Sequence, residues 1–384
     1  MAEDTASFAA NILKPKIKVF GVGGGGNSAL MRMGQHKKLD IDLIAVNTDA
    51  MQLKAAREAG LETLQIGEGL TGGRGTGSNV EIGEQAAKEA QSKLEDAMNG
   101  ADMIFLTAGM GGGTGTGAAP VLAKMAHDKG ILTIGIVNMP FRHEGRRKRT
   151  IAEQGVAKMR AEMDALIAVQ NDNLLKIPEN RRLSVRQAFA YADKVLVQGI
   201  NCVAELILTT GIINVDFADV TTILRQSPSS DALLGIGNSA HGAMDAVKQA
   251  TSSPLVDKSI AGARGFILNL TGDSTLSIGE VNDAMEYIYT NTNPDVNIIL
   301  GTVIDEDKKG EVQATIIATD FEDSEAAVGK KAESAENGDN PAAKPGFEVT
   351  PPAFMHANRK AETPKTQPHP GAFAIPAFKL TPDK

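Results

Sequence analysis

The sequence predicts an α/β protein: a mostly parallel sheet, a long central helix, a smaller C-terminal α/β domain and a disordered C-terminal tail. Three observations carry this prediction. Short Ile/Val/Leu runs alternate with helical patterns through residues 16–183, which is the rhythm of βαβ units. The runs are continuously apolar, as in strands covered on both faces. A long unbroken helical pattern, 184–210, separates this part from a second one with a different order of elements.

Residues 1–15 read as an unpatterned leader. From Lys16 the order is strand KIKVFGV, a Gly loop, helix SALMRMGQHKK, strand DIDLIAVN and helix AMQLKAAREA. The Gly-rich loop GEGLTGGRGTGSN leads into one helix, VEIGEQAAKEAQSKLEDAM, then strand ADMIFLTAG and the loop GMGGGTGTG. Helix AAPVLAKMAHDKG, strand ILTIGIVN, the basic helix EGRRKRTIAEQGVAKMRAEM, strand ALIAVQ and the polar NDNLL follow. Ser184 opens the central helix and Gln187 completes a capping box. At ~1.5 Å per residue this helix is long enough to cross a domain. Residues 211–321 then give helix FADVTTILRQ, strand ALLGIGNS, helix GAMDAVKQA, strand ARGFILNLTG, helix IGEVNDAMEYIYT and strands NIILGTVID and EVQATIIATD. From Glu322 the composition turns to Ala, Glu, Lys, Pro and Gly without periodicity. That describes a disordered linker, 322–368. An apolar island, GAFAIPAFKL, lies in the last segment, 369–384.

Composition excludes several classes. A net charge of −8, no Trp and three Tyr argue against a nucleic-acid partner. The single Cys202 rules out an internal disulfide framework and fits a reducing cytoplasm; its apolar helical setting predicts a buried structural thiol. No apolar run approaches the ~20 residues of a membrane span, and no signal peptide opens the chain. The six histidines are dispersed, with no Cys/His metal spacing.

The chemistry concentrates in glycine. The stretch TAGMGGGTGTGAAP, 107–120, follows a strand, and glycines there cost folding entropy unless something must approach the backbone closely. The usual visitor is phosphate, yet the P-loop pattern GxxxxGKS/T is absent from the chain. The loop GVGGGG satisfies GxGxxG (Gly21, Gly23, Gly26), with Asn47 and Asp49 ending the next strand. Alone it fits a dinucleotide fingerprint or a tight turn that packs a helix on a sheet. Three such loops, GVGGGG, GGRGTGSN and GMGGGTGTG, each precede a helix. Together they aim backbone N–H groups at one polyphosphate, so amides replace the missing lysine. Thr114 and Thr116 add hydroxyls, and Thr114 is placed to touch a phosphate-bound Mg²⁺.

GGGTGTGAAP between a strand and a helix resembles the signature loop of the FtsZ/tubulin GTPase family. GVGGGGNSAL, AVNTDAMQL, GSNVEIG, PFRHEG, NDNLL, GINCVAELI and NVDFADV follow in that family's order and spacing, closest to its bacterial FtsZ members, over residues 16 to about 320. The resemblance implies a Rossmann-like GTP-binding sheet over 16–183, an assembly domain that activates hydrolysis over 211–321, and GTP/GDP with Mg²⁺ as cofactors. It assigns Gly23, Gly24, Gly25 and Asn27 to the first phosphate loop, and Gly75, Gly77 and Asn79 to the loop beside the γ-phosphate. Gly111, Gly112, Gly113, Thr114 and Gly115 form the main cradle. Glu144 matches a ribose contact, and Asn171, Phe189 and Asp193 match the guanine pocket. By spacing alone Phe189 reads as a core aromatic, although Asp193, four residues on, shares its helical face. Asn214, Asp216 and Asp219 read by themselves as acids at a helix start. In the family the matching loop enters the next subunit's nucleotide site and orients the attacking water, which implies head-to-tail self-assembly and assembly-dependent GTP hydrolysis. The family role implied is the scaffold of the bacterial division ring, in the cytoplasm at the division site.

Departures from the family pattern are local. Lys148 stands where Arg is usual, and lysine lacks the planar fork; Arg147 and Arg149 are the neighbours able to compensate. Arg74 and Val80 replace a common leucine and proline, with Arg74 either beside the γ-phosphate or solvated, and Thr210 replaces a frequent proline. The run Arg146–Arg149 reads as a solvated helix face or a source of positive potential. The tail island resembles the family's partner-binding peptide, with Ile375, Pro376 and Phe378 as apolar anchors for membrane adaptors and division regulators. Ala374 replaces its acid, and Lys379 separates Phe378 from Leu380. Contact with the membrane would run only through those adaptors.

Overall fold

The computed structural model describes residues 14–35, 39–177, 180, 182–209, 215–227, 229–255 and 259–321. Strands β1 (Ile17–Val22), β2 (Asp42–Asn47), β3 (Glu62–Gln65), β4 (Met103–Gly109), β5 (Leu132–Met139) and β6 (Ala165–Gln170) form one sheet in the order β3-β2-β1-β4-β5-β6. Every pairing in it is parallel.

Side chains along these strands alternate between two cores, as the period of two requires. Val19, Phe105 and Ile136 point to one cluster, and Phe20, Leu106 and Val137 to the other. Each buried Phe contributes about 1.5–3 kcal/mol of transfer free energy. The second cluster is closed by helices Val80–Glu89, Gln91–Met98, Gly113–Asp128 and Arg146–Arg160, through Ala86, Leu94, Leu122 and Met159. The first is closed by helix Gly23–Gln35 and by the central helix Val185–Leu208, through Leu30, Leu196 and Ile200. Ser184 caps the central helix: its Oγ accepts from Gln187 N at 3.3 Å, and Gln187 Oε1 accepts from Ser184 N at 2.8 Å.

The second sheet has the order β7-β10-β8-β9, with β7 Ala232–Ser239, β8 Ala263–Gly272, β9 Asn297–Ile304 and β10 Val312–Phe321. β10 runs antiparallel to both neighbours, while β8 and β9 are parallel. Helices Ala243–Thr251 and Ile278–Asn291 cover one face through Val247, Val281 and Ile288, which pack with Phe266 and Ile316. The other face joins the first cluster through Ile267, Ile299 and Ile317, so one apolar core runs through the central helix into both sheets. The backbone ties the sheets as well: Leu166 N donates to Ser230 O at 2.7 Å. No described helix is long and apolar enough to cross a membrane.

The structure corrects four sequence expectations. Two of the three Gly runs are not loops that precede helices: the helices begin inside them, at Gly23 and Gly113, while GGRGTGSN does lead into the helix at Val80. The predicted helix 80–98 is two helices, broken at Ala90 (φ −91°, ψ 12°). β3, ETLQ, is an additional edge strand, only partly buried. Phe189, a core residue by spacing, is 39% exposed. Cys202 is buried, and burial together with the nearby Glu205 charge pushes its thiol pKa far up, leaving it inert.

Candidate active site

The C-terminal ends of the parallel strands open into a cleft of about 550 Å³, where open α/β sheets hold their ligands. Its floor is backbone. Gly23 has φ +71°, and a Cβ there would lie 2.8 Å from Gly115 N, so the two Gly runs touch without side chains between them. A Cβ on Gly113 would collide with the Thr76 hydroxyl and sit 2.7 Å from Asn79 O. The contact brings the first turn of Gly113–Asp128 against the loop 75–79. Two helix N-termini, at Gly23 and Gly113, therefore present free amides to the cleft.

Side chains brace this floor. The Thr48 and Thr114 hydroxyls bond at 2.7 Å, and Gly111 N donates to Thr116 Oγ1 at 2.7 Å. Asp49 Oδ1 accepts from Met51 N and Gln52 N, capping the helix Ala50–Glu58. Of the residues assigned to the phosphate loops, Gly24, Gly25, Gly75, Gly77, Gly112, Gly113, Thr114 and Gly115 line the cleft. Gly23 and Gly111 shape it from behind, with φ +71° and +92°.

Two of the assigned residues, Asn27 and Asn79, stand off the cleft wall. Asn27 is 1% exposed; with its amide nitrogen turned inward it donates to Gly21 O at 2.7 Å and Gly23 O at 3.1 Å, while its oxygen accepts from Asn47 Nδ2. Its amide is spent on holding the loop, and Ser28 lines the cleft instead. Asn79 likewise serves as an N-cap, accepting from Glu81 N at 2.9 Å and Ile82 N at 3.3 Å.

The β5–β6 end of the cleft has a different character. Phe189 lines it, edge-on to Phe141 at 5.3 Å. Asp193, on the same face of the central helix, accepts from Arg32 Nε at 3.0 Å. Burial pushes the Asp193 carboxyl pKa up, and the Arg32 guanidinium opposes the shift. Asn171 is 4% exposed, and its Oδ1 has no hydrogen-bond partner among the described residues. The same holds for Asn138, at the end of β5, which the sequence reading passed over as strand. Unpartnered amide oxygens at a cleft wall are costly unless a ligand meets them. Glu144 is fixed by two bonds, from Phe141 N at 2.9 Å and from Lys148 Nζ at 2.5 Å. Arg149 bonds to Glu153 and pairs with Asp172, and neither it nor the exposed Arg147 lines the cleft beside Lys148.

Asp216 and Asp219 stand at the start of helix Phe217–Arg225, exposed and absent from the cleft wall. Asn214, Ile375, Pro376 and Phe378 lie outside the described residues. Among the described residues no group of three or more His, Cys, Asp or Glu is arranged to hold a metal.

Residues 16–179 match the GTPase domain of the tubulin/FtsZ family, and residues 230–322 match the FtsZ family C-terminal domain. The fold is also that of an FtsZ dimer from M. jannaschii, described as empty: 34% identity, TM-score 0.77, covering 83% of this chain and 92% of the other. The chain belongs to the tubulin/FtsZ family. A mutant FtsZ from M. jannaschii gives 35% identity and a TM-score of 0.76, over 84% and 96% of the two chains. CetZ2 from Haloferax volcanii, solved as a GTPγS-bound protofilament, shares the fold at 22% identity and a TM-score of 0.68, over 83% and 98%. In tubulin/FtsZ terms, the cleft lies wholly within the GTPase domain apart from Phe189 and Asp193. Those two come from the central helix, beyond the stretch that the GTPase-domain match covers.

Proposed function

We propose that this chain binds GTP in the cleft and hydrolyses it to GDP and phosphate in head-to-tail filaments. Each site would be completed by Asn214, Asp216 and Asp219 of the neighbouring subunit. Guanine would stack on Phe189, with Asp193 accepting from its N1–H and N2–H and Asn171 meeting a polar edge. Glu144 would hold the ribose, and the amides of the Gly23 and Gly113 helix starts would hold the phosphates. The Thr114 hydroxyl would meet a phosphate-bound Mg²⁺, which supplies charge neutralisation when present. The neighbour's carboxylates would orient a water and take its proton. Its oxygen would bond to the γ-phosphorus while the bond to the β–γ bridging oxygen breaks.

The observation that carries this reading is the separation of parts. One chain holds a built, unpartnered cleft, and its two exposed carboxylates at a helix start stand outside it. A heterologous contact that brings the acids of one copy to the cleft of the next propagates as a filament where its rotation does not close a ring.

The test is GTPase rate per molecule against protein concentration, for wild type and Asp219→Ala. We expect near-zero turnover at low concentration, a threshold, then a plateau, with the variant binding GTP but barely turning it over. A rate constant down to high dilution would give each monomer its own complete site and end the inter-subunit mechanism.

We further infer that the filament scaffolds the division ring at the membrane, through adaptors docked on the tail. The identity to FtsZ, 34–35% against 20–22% for the CetZ structures, supports division over partition or cell shape. A fluorescent fusion forming a ring at the division plane is expected; a distribution unrelated to that plane would favour the other roles.

A further inference from the structure

The formal charges in the cleft wall are Asp49, Arg74, Glu144, Lys148 and Asp193. Four of them are committed. Lys148 and Glu144 pair with each other, Asp193 pairs with Arg32, and Asp49 caps a helix. Arg74 alone makes no ion pair and no side-chain hydrogen bond among the described residues. It is exposed, and its backbone bridges to Asp49 while its guanidinium lies back over Gly72. Gly72, Gly73, Gly75 and Gly77 around it all have positive φ, between +58° and +79°. The guanidinium on this loop therefore has no partner among the described residues to take up its donors.

Sheet order says which end of a bound nucleotide it faces. Asn171 follows β6 and Asn138 ends β5, at one edge; the Gly23 and Gly113 helices follow β1 and β4, in the middle. Arg74 follows β3 and bridges to Asp49 just after β2, at the opposite edge. At ~4.8 Å between strands, β6 to β2 spans roughly 19 Å. With its base at the Asn171 edge and its phosphates over the central helix starts, a nucleotide points its last phosphate toward Arg74.

We propose that Arg74 is the residue of this chain that reads the terminal phosphate and so sets the preference for a nucleoside triphosphate over a diphosphate. The amides of the Gly runs serve both nucleotides. Arg74 adds charge-assisted bonds, with fork geometry suited to phosphate oxygens, only where a γ-phosphate exists. The inference rests on the nucleotide reading above.

The experiment uses the full chain, below the concentration at which turnover rises, titrated with GTPγS and with GDP. Wild type, Arg74→Ala and Arg74→Lys are compared, with thermal melting of each nucleotide-free protein to confirm the fold. We expect Arg74→Ala to weaken GTPγS roughly tenfold while GDP moves less than about twofold, and Arg74→Lys to recover most of the loss. An unchanged ratio of the two affinities in Arg74→Ala, whether both fall or neither does, overturns the proposal; so does a lysine variant no better than alanine. Wild type that binds neither nucleotide would instead overturn the functional reading, and Arg74's role with it.

Discussion

Lys148 Nζ donates to Glu144 Oε2 at 2.5 Å, four residues back across the Gly145 bend, while the other Glu144 oxygen accepts from Phe141 N at 2.9 Å. The lysine's charge is spent inside the protein, on the carboxylate assigned to the ribose. Its effect on binding must therefore pass through Glu144, a contact common to GDP and GTP. We expect Lys148→Ala to weaken both nucleotides alike, by roughly threefold, because a partly exposed pair is worth up to ~1 kcal/mol. Glu144→Ala should cost more. Parallel titrations with GDP and GTPγS check this; a loss confined to GTPγS would mean that Lys148 reaches the phosphates directly.

Asp193 makes binding acid-sensitive. Burial raises its pKa above the ordinary 3.8, against the pull of Arg32, so the carboxylate that would accept from guanine is lost at a higher pH than an exposed one. Affinity for GDP should fall as pH drops through that raised pKa, and Arg32→Ala should move the fall to higher pH. The sign for stability is opposite. A folded pKa above the unfolded one means that the folded state holds the extra proton between the two, so the charge costs stability once pH exceeds both. Asp193→Asn should therefore melt higher than wild type at neutral pH without nucleotide, and bind guanine nucleotide less well. A lower melting temperature would mean that the Arg32 bond outweighs desolvation.

Two adjacent glycines separate folding from binding. A methyl on Gly113 meets Thr76 and the Asn79 backbone, and backbone cannot step aside. Gly113→Ala should destabilise the fold by about 1–3 kcal/mol or more, read by thermal melting. Gly112 has φ −87° and open space where its Cβ would stand, and it lines the cleft. Gly112→Ala should melt like wild type yet lose nucleotide affinity. Equal melting losses in both would show that the Gly run is simply fragile.

The parallel sheet was legible because its strands are unbroken apolar runs, with both faces buried as in Leu132–Met139. The capping box at Ser184 was equally plain. β3 was not, because ETLQ is short, polar and partly exposed; it is a strand only because β2 offers an edge to pair with. The break at Ala90 leaves no mark in a run of good helix formers. Glycine at Gly23 and Gly113 reads as loop by propensity, yet tertiary packing makes these residues helical, since only bare backbone fits between the two runs. Asn27 and Ser28 are adjacent in a helix, and which of them faces the cleft is a rotation of about 100° that no motif encodes. Asn138 carried no periodic or motif signal, and only an unpartnered oxygen reveals it.

The central helix fixes one more property. Phe189 and Asp193 sit in its N-terminal turns, and its 24 residues extend about 36 Å toward the segment that bears Asp216. On the proposed reading, this strut keeps each molecule's trigger out of reach of its own charge. Free subunits are then a loaded reserve that does not run down, and the nucleotide starts to age only when another copy docks. The state of the nucleotide at any point in a filament is thus a clock, set at the moment of joining, by which older stretches can be told from newer ones and taken apart first.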